Sequence, residues 1–343
     1  MNELAQFCKN LKKDFKPRTK DPKKPVSFWS EKDILDDKLI DAFVIIFRTK
    51  GCSWALKSGC SMCGYFNDSM WKNVSDDDLL MQFDTAMKNY SGQNFVKFFT
   101  SGSFLDDKEI KPKVRQKILK KLAETTDKVS VESRPEYITD EKMSEIKDIF
   151  KSKIFEVGVG LETSSDFVRE HCLNKGFKFE DYKNATKTLK KHNVKLKTYV
   201  LIKPPFLTEK ESIEDAIKTV DKIKSITDII SFNPTNVQRN TLVNYLWHRK
   251  QYRPAWLFSV VKILKESKKI ASDVRIKCDI AGGGSIRGAH NCKSCDRSFL
   301  DAISEFSLSQ GVSVFNNLRC DCREKWLDQL DIEDLGFGSL VNI

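Results

Sequence analysis

Hydrophobic residues in this chain are concentrated in six short runs that alternate with longer, highly charged segments. The runs are rich in β-branched and aromatic residues, which favour buried strands. They cover residues 41–49, 95–101, 129–133, 154–162, 195–202 and 227–234. Because strands that alternate with helices pair in parallel through right-handed crossovers, the pattern predicts an α/β protein with one parallel sheet.

The charged segments between these runs have the hydrophobic spacing and the starting residues of helices. Ser75 and Thr139 precede acidic residues, and Thr208 is followed by Glu209 and Glu211. Such hydroxyl and carboxylate groups complement the free N–H groups of a first helical turn. The predicted helices cover residues 76–89, 111–125, 139–151, 209–225 and 254–269.

Six strand–helix units predict a partial (β/α)6 barrel of the TIM type, with its functional residues at the carboxyl ends of the strands. We divide the chain into a basic N-terminal extension (1–40), the partial barrel (41–270) and a small cysteine-rich C-terminal domain (271–343). The last region is predicted to contain strands at 274–280 and 312–318, with a glycine triplet and a cysteine-rich loop between them.

Ten cysteines are the compositional feature that changes this picture. The 343-residue chain has no apolar run long enough to cross a membrane, and its N-terminus lacks the apolar core of a secretory signal. We therefore expect a cytoplasmic protein that does not associate with membranes. In a reducing compartment, cysteines are more often metal ligands or catalytic groups than members of a disulfide framework.

Three of the cysteines follow the first predicted strand. Cys52, Cys60 and Cys63 have the spacing C-x7-C-x2-C. A structural zinc ion or a fully ligated 4Fe–4S cluster uses four protein ligands, so three thiolates without a local fourth would leave one iron open for a reactive ligand. A zinc site completed by a distant residue, and a set of thiols without metal, are the alternatives.

A small polar loop ends the second predicted strand. Its residues are Thr100, Ser101, Gly102 and Ser103. A glycine between hydroxyl residues exposes backbone groups to a close ligand, and these carbonyl and hydroxyl groups could receive the ammonium group of a bound methionine moiety. An ordinary strand–helix turn explains the same residues, so the loop alone leaves both interpretations open.

Charged residues end the third and fourth predicted strands. Arg134 could bind a carboxylate through two hydrogen bonds, and a surface ion pair is its alternative role. Glu162 could accept hydrogen bonds from ribose hydroxyls, and an acidic helix start is its alternative role. Gly158 and Gly160 lie on one face of the fourth strand, where they are expected to make room for a ligand.

These fragments together resemble the radical SAM superfamily, in particular the subgroup related to the catalytic subunit of Elongator. The resemblance rests on the cysteine trio and on residues 102–104, 131–135 and 158–163, and it covers about residues 40–270. It implies a 4Fe–4S cluster on Cys52, Cys60 and Cys63, with S-adenosylmethionine (SAM) on the open iron. The seven residues between the first two cysteines depart from the superfamily's commonest spacing of three, a difference that affects the shape of the loop.

The same resemblance implies roles for the other residues in binding SAM. Met62 and Tyr65 would contact the adenine, and the loop 100–103 would receive the amino group. Arg134 would bind the carboxylate and Glu162 the ribose.

Longer stretches resemble one archaeal family within the superfamily, whose members complete archaeosine in tRNA. These stretches are residues 54–65, 201–209 and 252–257. They imply a tRNA substrate that carries, at position 15, a lysine adduct of 7-cyano-7-deazaguanine. Radical cleavage of a C–N bond would leave the amidine of archaeosine on the base. The family also implies a second subunit that attaches the lysine, and an unidentified electron donor.

A second set of cysteines lies in the C-terminal region, in one C-x2-C pair and one C-x-C pair. The four are Cys292, Cys295, Cys320 and Cys322. Four soft ligands favour a closed tetrahedral site, most simply structural zinc that stabilises a segment with little core of its own. A second iron–sulfur cluster and thiols without metal are the alternatives, and Cys278 and His290 are further candidate ligands.

The net charge favours contact with RNA. The chain carries +11 at pH 7, with a dense basic stretch over residues 9–24. Basic surfaces gain affinity for polyanions through counterion release, so this stretch is expected to contact tRNA phosphates. Two other functions fit the sequence. One is a radical SAM methylthiotransferase or methyltransferase acting on RNA, which a second C-terminal cluster would favour. The other is a non-enzymatic, zinc-bearing subunit that binds nucleic acid.

Overall fold

Eight strands form one curved sheet in the computed structural model, which describes residues 3–13, 15 and 20–336. The strands are β1 (Ser27–Leu35), β2 (Lys38–Ile46), β3 (Phe95–Phe99), β4 (Lys128–Ser133), β5 (Ile154–Glu162), β6 (Lys195–Ile202), β7 (Ile229–Pro234) and β8 (Arg275–Cys278). They lie in sequence order, β1 pairs antiparallel with β2, and each later neighbour is parallel. The sheet is an open half-barrel, as expected for a partial TIM-type barrel.

Helices cover one face of the sheet. Of the described α-helices, nine lie between consecutive parallel strands, one precedes the first strand and two follow the last. They are α1 (Glu3–Asn10), α2 (Ser53–Lys57), α3 (Asp76–Met87), α4 (Pro112–Thr125), α5 (Asp140–Phe150), α6 (Asp166–His171), α7 (Phe179–Lys191), α8 (Glu209–Ile223), α9 (Leu242–His248), α10 (Leu257–Ile270), α11 (Asp296–Ser309) and α12 (Arg323–Gly336). The helix starts predicted at Ser75, Thr139 and Thr208 are confirmed. Ser75 Oγ accepts a hydrogen bond from the Asp78 amide (3.0 Å), and Thr208 forms a reciprocal capping box with Glu211.

The two faces of the sheet differ in chemistry. On the face covered by helices, residues such as Phe98 and Val131 are fully buried in one large apolar core. On the opposite face, buried Glu156 pairs with Lys128 (2.7 Å) and Lys197 (3.1 Å). Although burial opposes ionisation, these lysines hold the pKa of Glu156 below its usual range. The inner face is therefore a paired polar surface rather than an apolar one.

Strand β1 is absent from the sequence prediction, although the six predicted strands correspond to β2–β7 and the strand predicted at 274–280 corresponds to β8. Its sequence is rich in charged residues, which disfavour a buried strand. In the structure, Glu31 and Asp33 both pair with Lys97 of β3, and Asp33 also pairs with Lys277 of β8 (2.7 Å). The charges of β1 thus belong to the polar inner face.

The strand predicted at residues 312–318 is wrong. Val312–Phe315 form a short 3-10 helix instead. The Phe315 ring packs on Phe306 of α11 with 5.2 Å between ring centroids. Phe315 is therefore buried against a helix, and the segment does not pair in the sheet.

Both terminal regions pack near the barrel. At the C-terminal end, α11 packs on β8 and α10, and α12 packs on α8. In the predicted basic stretch, residues 14 and 16–19 lie outside the described residues. Lys12 Nζ donates to the carbonyl of Ala55 (2.9 Å), within residues 51–65, which we call the cysteine loop. No helix in the described part of the chain is long and apolar enough to cross a bilayer. The division into three regions stays a prediction.

Candidate active site at the carboxyl edge of the sheet

The cysteine loop follows β2 and presents three half-buried free thiols. They are Cys52, Cys60 and Cys63. The loop is held by segments that follow two distant strands. The Ser61 amide donates to the Leu173 carbonyl (2.9 Å) after β5, and the Ser61 carbonyl accepts from the Val243 amide (3.2 Å) after β7. The positions of the thiols therefore depend on the tertiary structure and not on the loop alone.

Burial and mutual proximity make these thiols difficult to ionise on their own. Burial raises the pKa of Cys52 and raises that of Cys63 to about 12, and neighbouring Cys60 adds to both effects. Two cations act in the opposite direction, Arg134 on Cys52 and Lys175 on Cys63. A metal site supplies positive charge and binds the thiolate form of cysteine. The donor set therefore fits an iron–sulfur cluster with three protein ligands.

The polar loop that follows β3 packs directly on Cys52. A Cβ atom on Gly102 would lie 2.6 Å from Cys52 Cα, so only glycine permits this approach. Thr100 Oγ1 accepts from the Gly102 amide (3.1 Å), and the Ser103 amide donates to Glu109 Oε2 (2.7 Å). The structure thus brings the predicted loop and the first cysteine together.

Arg134 also lies at this edge, in a well-defined environment. Its guanidinium carbon is 5.4 Å from the centroid of the Trp54 ring and 5.3 Å from that of Phe177. It forms an ion pair with Glu136 and donates from Nη1 to the Lys175 carbonyl (3.0 Å). The predicted carboxylate-binding residue therefore has a carboxylate partner within the protein.

Glu162 ends β5 with a positive φ of 70°, next to an irregularity in the pairing with β6. Its Oε1 atom pairs with Lys175 Nζ at 2.6 Å. A Cβ on Gly160 would lie 2.7 Å from Glu162 Oε1, and a Cβ on Gly158 would lie 2.8 Å from Tyr199 Cε2. The space that these glycines were expected to leave for a ligand is filled by the protein's own side chains, which corrects that expectation.

The residues predicted to contact adenine have different environments. Met62 is 8% exposed and packs in an apolar cluster with Val168 and Leu201, whereas Tyr65 is 60% exposed. Ser101, in the loop after β3, is half-buried. Their roles in binding SAM stay predictions.

Three charged residues of the site were not among the predicted site residues. Lys12 comes from the N-terminal region and also donates to the Ser58 carbonyl. Burial raises the pKa of the Glu109 carboxyl to about 7. Although burial opposes the charge of Lys175, Glu162 raises the pKa of that lysine above its usual value. Each is an ordinary charged residue in the sequence, and only the fold brings it to the cysteine loop or to Glu162.

The C-terminal cysteines form a compact group whose four sulfur atoms lie within 4.8 Å of one another. They are Cys292, Cys295, Cys320 and Cys322. The Sγ–Sγ distances are 3.7 Å for 292–295, 3.6 Å for 292–320 and 3.8 Å for 295–322. This group can hold a metal ion.

The surroundings of this group show how it is attached to the barrel. Asn291 Nδ2 donates to Cys295 Sγ (3.4 Å), while Asn291 Oδ1 accepts from the Leu257 amide (2.9 Å) at the start of α10. Within the described residues, the metal-binding group does not include Cys278 or His290.

Comparisons with known proteins agree with these features. Residues 46–220 match the Radical SAM superfamily. The chain is 39% identical over 342 residues to archaeosine synthase subunit beta of Methanosarcina acetivorans, covering 98% of this chain and 99% of that protein. It is 37% identical over 308 residues to archaeosine synthase subunit beta of Thermococcus kodakarensis, covering 88% and 95%. The fold is similar to that of Elp3 from Methanocaldococcus infernus, with a TM-score of 0.50, 17% identity, and coverage of 70% of this chain and 59% of that chain.

Proposed function

The chain belongs to the radical SAM superfamily, and we propose that this radical SAM enzyme forms archaeosine at position 15 of tRNA. The observation that carries the proposal is the 39% identity, over nearly the full length of both chains, to archaeosine synthase subunit beta of M. acetivorans. The proposed substrate is tRNA bearing the lysine adduct of 7-cyano-7-deazaguanine. The proposed reaction is a lyase-type cleavage of the C–N bond that leaves the amidine on the base.

The superfamily uses a 4Fe–4S cluster and SAM, and the three thiols of the cysteine loop are the residues that would hold the cluster. When bound, the cluster and SAM would supply the radical chemistry that removes a hydrogen atom from the substrate. The protein itself must place the substrate C–H bond next to bound SAM and keep other hydrogen donors away.

The residues around the cysteine loop are proposed to bind and orient SAM. The carbonyl and hydroxyl groups of residues 100–103 receive the ammonium group, and Glu162 accepts from the ribose hydroxyls. Lys175 holds Glu162 through the 2.6 Å ion pair. Arg134 binds the carboxylate, which requires it to exchange its ion pair with Glu136. Met62 and Tyr65 contact the adenine.

Zinc is the proposed ion of the C-terminal group. A tetrahedron with Zn–S bonds of about 2.3 Å has S–S edges of about 3.8 Å. Three of the six Sγ–Sγ distances in the group are 3.6, 3.7 and 3.8 Å, and all six are within 4.8 Å. A 4Fe–4S cluster with four protein ligands binds each thiolate through a different iron and needs a wider arrangement. The geometry supports zinc and weighs against the second cluster that would favour a methylthiotransferase.

Partners and location complete the proposal. The relatives are named as a beta subunit, which supports a second subunit, and we propose that this partner attaches the lysine. An electron donor must reduce the cluster, and the cytoplasm is the proposed location, because the substrate is tRNA. A purely nucleic-acid-binding role is disfavoured, because the chain matches an enzyme superfamily over residues 46–220.

The proposal is tested by anaerobic incubation of the reconstituted, reduced protein with SAM and tRNA that bears the lysine adduct. We expect 5′-deoxyadenosine and archaeosine to form together, as measured by liquid chromatography and mass spectrometry. Replacement of Cys60 by serine should abolish both products, whereas Cys278→Ser, at a buried thiol outside both cysteine groups, should retain them. A methylated or methylthiolated nucleoside as the product would contradict the proposal.

A further inference from the structure

A basic and aromatic surface lies beside the cysteine loop, on α9 and the loops next to it. We call it the α9 surface and define it by Arg239, Tyr245, Trp247, Arg249, Lys250 and Arg287. It adjoins the proposed reaction site directly. The Gly64 amide donates to Gln238 Oε1, and Asn67 Nδ2 donates to the Arg239 carbonyl (3.0 Å). A ligand on this surface would therefore reach the edge of the cysteine loop.

Most of the α9 surface comes from a long segment of the chain that has an excess of positive charge. No aspartate or glutamate occurs between Asp228 and Glu266, whereas six lysines and arginines do. Within the described residues, no carboxylate lies within 4.0 Å of the charged groups of Arg239, Arg249 or Lys250. Unpaired cations that are concentrated on one surface attract a polyanion.

Arg287 lies near the charge of Arg239, and its own hydrogen-bond partners are uncharged. Arg287 donates to the Asn244 side chain (2.5 Å) and to the Val237 carbonyl (2.9 Å), so its position is fixed by neutral partners. Burial and the nearby charge of Arg239 lower the pKa of Arg287. A phosphate group bound near both guanidinium groups would relieve this repulsion.

Aromatic rings alternate with these cations and are held in place. The guanidinium carbon of Arg287 lies 4.6 Å from the centroid of the Trp247 ring, and that of Arg249 lies 3.6 Å from Tyr245. Trp247 Nε1 donates to the Ile286 carbonyl (3.2 Å), which fixes the half-buried indole. Ordered aromatic and guanidinium planes are the surfaces on which proteins stack unpaired nucleobases.

From these observations we infer that the α9 surface binds an unpaired segment of RNA next to the reacting nucleotide. The arginines and Lys250 bind phosphates, and Trp247 and Tyr245 stack against exposed bases. The inference rests on the proposed function only in that the substrate is RNA. A partner protein is the other possible occupant, but a surface rich in unpaired cations and stacked guanidinium planes fits RNA better.

The test compares two double variants that each remove two positive charges. R249Q/K250Q changes the α9 surface, and K117Q/K120Q changes exposed lysines of α4. Binding of unmodified tRNA to the full-length protein is measured by fluorescence anisotropy at several salt concentrations. We expect R249Q/K250Q to weaken binding about tenfold relative to the control variant and to reduce the slope of log K against log[salt] by about 1.5. Equal binding by the two variants overturns the inference.

A third variant, Trp247→Leu, separates stacking from charge. We expect weaker binding with an unchanged salt slope, because the indole carries no charge. Loss of association with the partner subunit in R249Q/K250Q, with tRNA binding intact, would overturn the inference in favour of a protein-binding surface. Archaeosine formation is assayed separately with tRNA that bears the lysine adduct. If no archaeosine forms while R249Q/K250Q still loses tRNA binding, the proposed function fails and the inference stands.

Discussion

Replacing Gly102 with alanine should disturb the cysteine loop without removing a polar group. The added Cβ would lie 2.3 Å from Glu109 Oε2, 2.6 Å from Cys52 Cα and 2.9 Å from Cys52 N, whereas ordinary van der Waals contact begins at 3.4 Å. The two Cys52 atoms belong to the backbone, so a movement of the Glu109 side chain alone would not relieve the clash. The backbone at Cys52 or at the loop after β3 must therefore shift by roughly 0.8 Å.

This shift has two measurable consequences. Overpacking of this kind costs about 2 kcal/mol, which corresponds to a decrease of roughly 2–6 °C in the melting temperature of the protein without cluster. Displacement of a cluster ligand by nearly 1 Å should lower the rate of SAM cleavage by roughly a hundredfold. Iron content per chain should also decrease after reconstitution.

The assay combines differential scanning calorimetry, iron analysis and the formation of 5′-deoxyadenosine from SAM. Gly311→Ala is the matched control, because its added Cβ would meet its nearest atoms at 3.7 and 3.8 Å. The steric reasoning is refuted if Gly102→Ala retains the melting temperature, iron content and cleavage rate of the control.

Three further predictions concern buried charges and the second metal site. Burial raises the pKa of Asp215 from 3.8 to about 6, so the folded protein keeps a proton that the unfolded chain releases. The free energy of unfolding, measured in urea, should therefore decrease by up to about 3 kcal/mol as the pH rises from 4 to 6, and this decrease should be absent in Asp215→Asn. The same pH profile in the variant and the original protein would contradict this prediction. Lys175→Gln leaves Glu162 as a buried unpaired charge and should lower the free energy of unfolding by about 3 kcal/mol in the same assay. The double variant with Glu162→Gln should regain part of this stability. Equal stability of the single and double variants would exclude the ion pair as the cause. Cys320→Ser should abolish metal binding at the C-terminal group, as measured by atomic emission, and a full complement of metal would show that another residue completes the site.

The sequence predicts those parts of the fold and site that depend on neighbouring residues. Ser75 and Thr208 precede helices because a hydroxyl group followed by carboxylates accepts hydrogen bonds from the free N–H groups of the first turn, whatever the rest of the fold. Spacing likewise identifies the C-terminal group of four cysteines, whereas the cluster site on Cys52, Cys60 and Cys63 stays a prediction. Residues that reach the site from a distance give no such signal, and Lys12 and Lys175 are examples.

Two errors have a related origin. β1 was missed because charged residues such as Asp33 normally face water, whereas here the inner face of the sheet supplies lysine partners. Gly158 and Gly160 suggested space for a ligand, but Tyr199 and Lys175 extend from other elements into that space. In each case the role of the residue is determined by a side chain that is distant in the sequence, and a local sequence pattern does not contain that information.

Asn291 has a practical consequence for dividing this protein into fragments. One amide side chain joins a sulfur of the C-terminal group to the first turn of α10, and the Phe258 amide shares the same acceptor oxygen (3.4 Å). An expression fragment that stops at residue 270 would leave those amides uncapped and strip β8 from the edge of the sheet. If a metal ion occupies the C-terminal group, chelators should likewise destabilise the start of α10, because Asn291 joins the two.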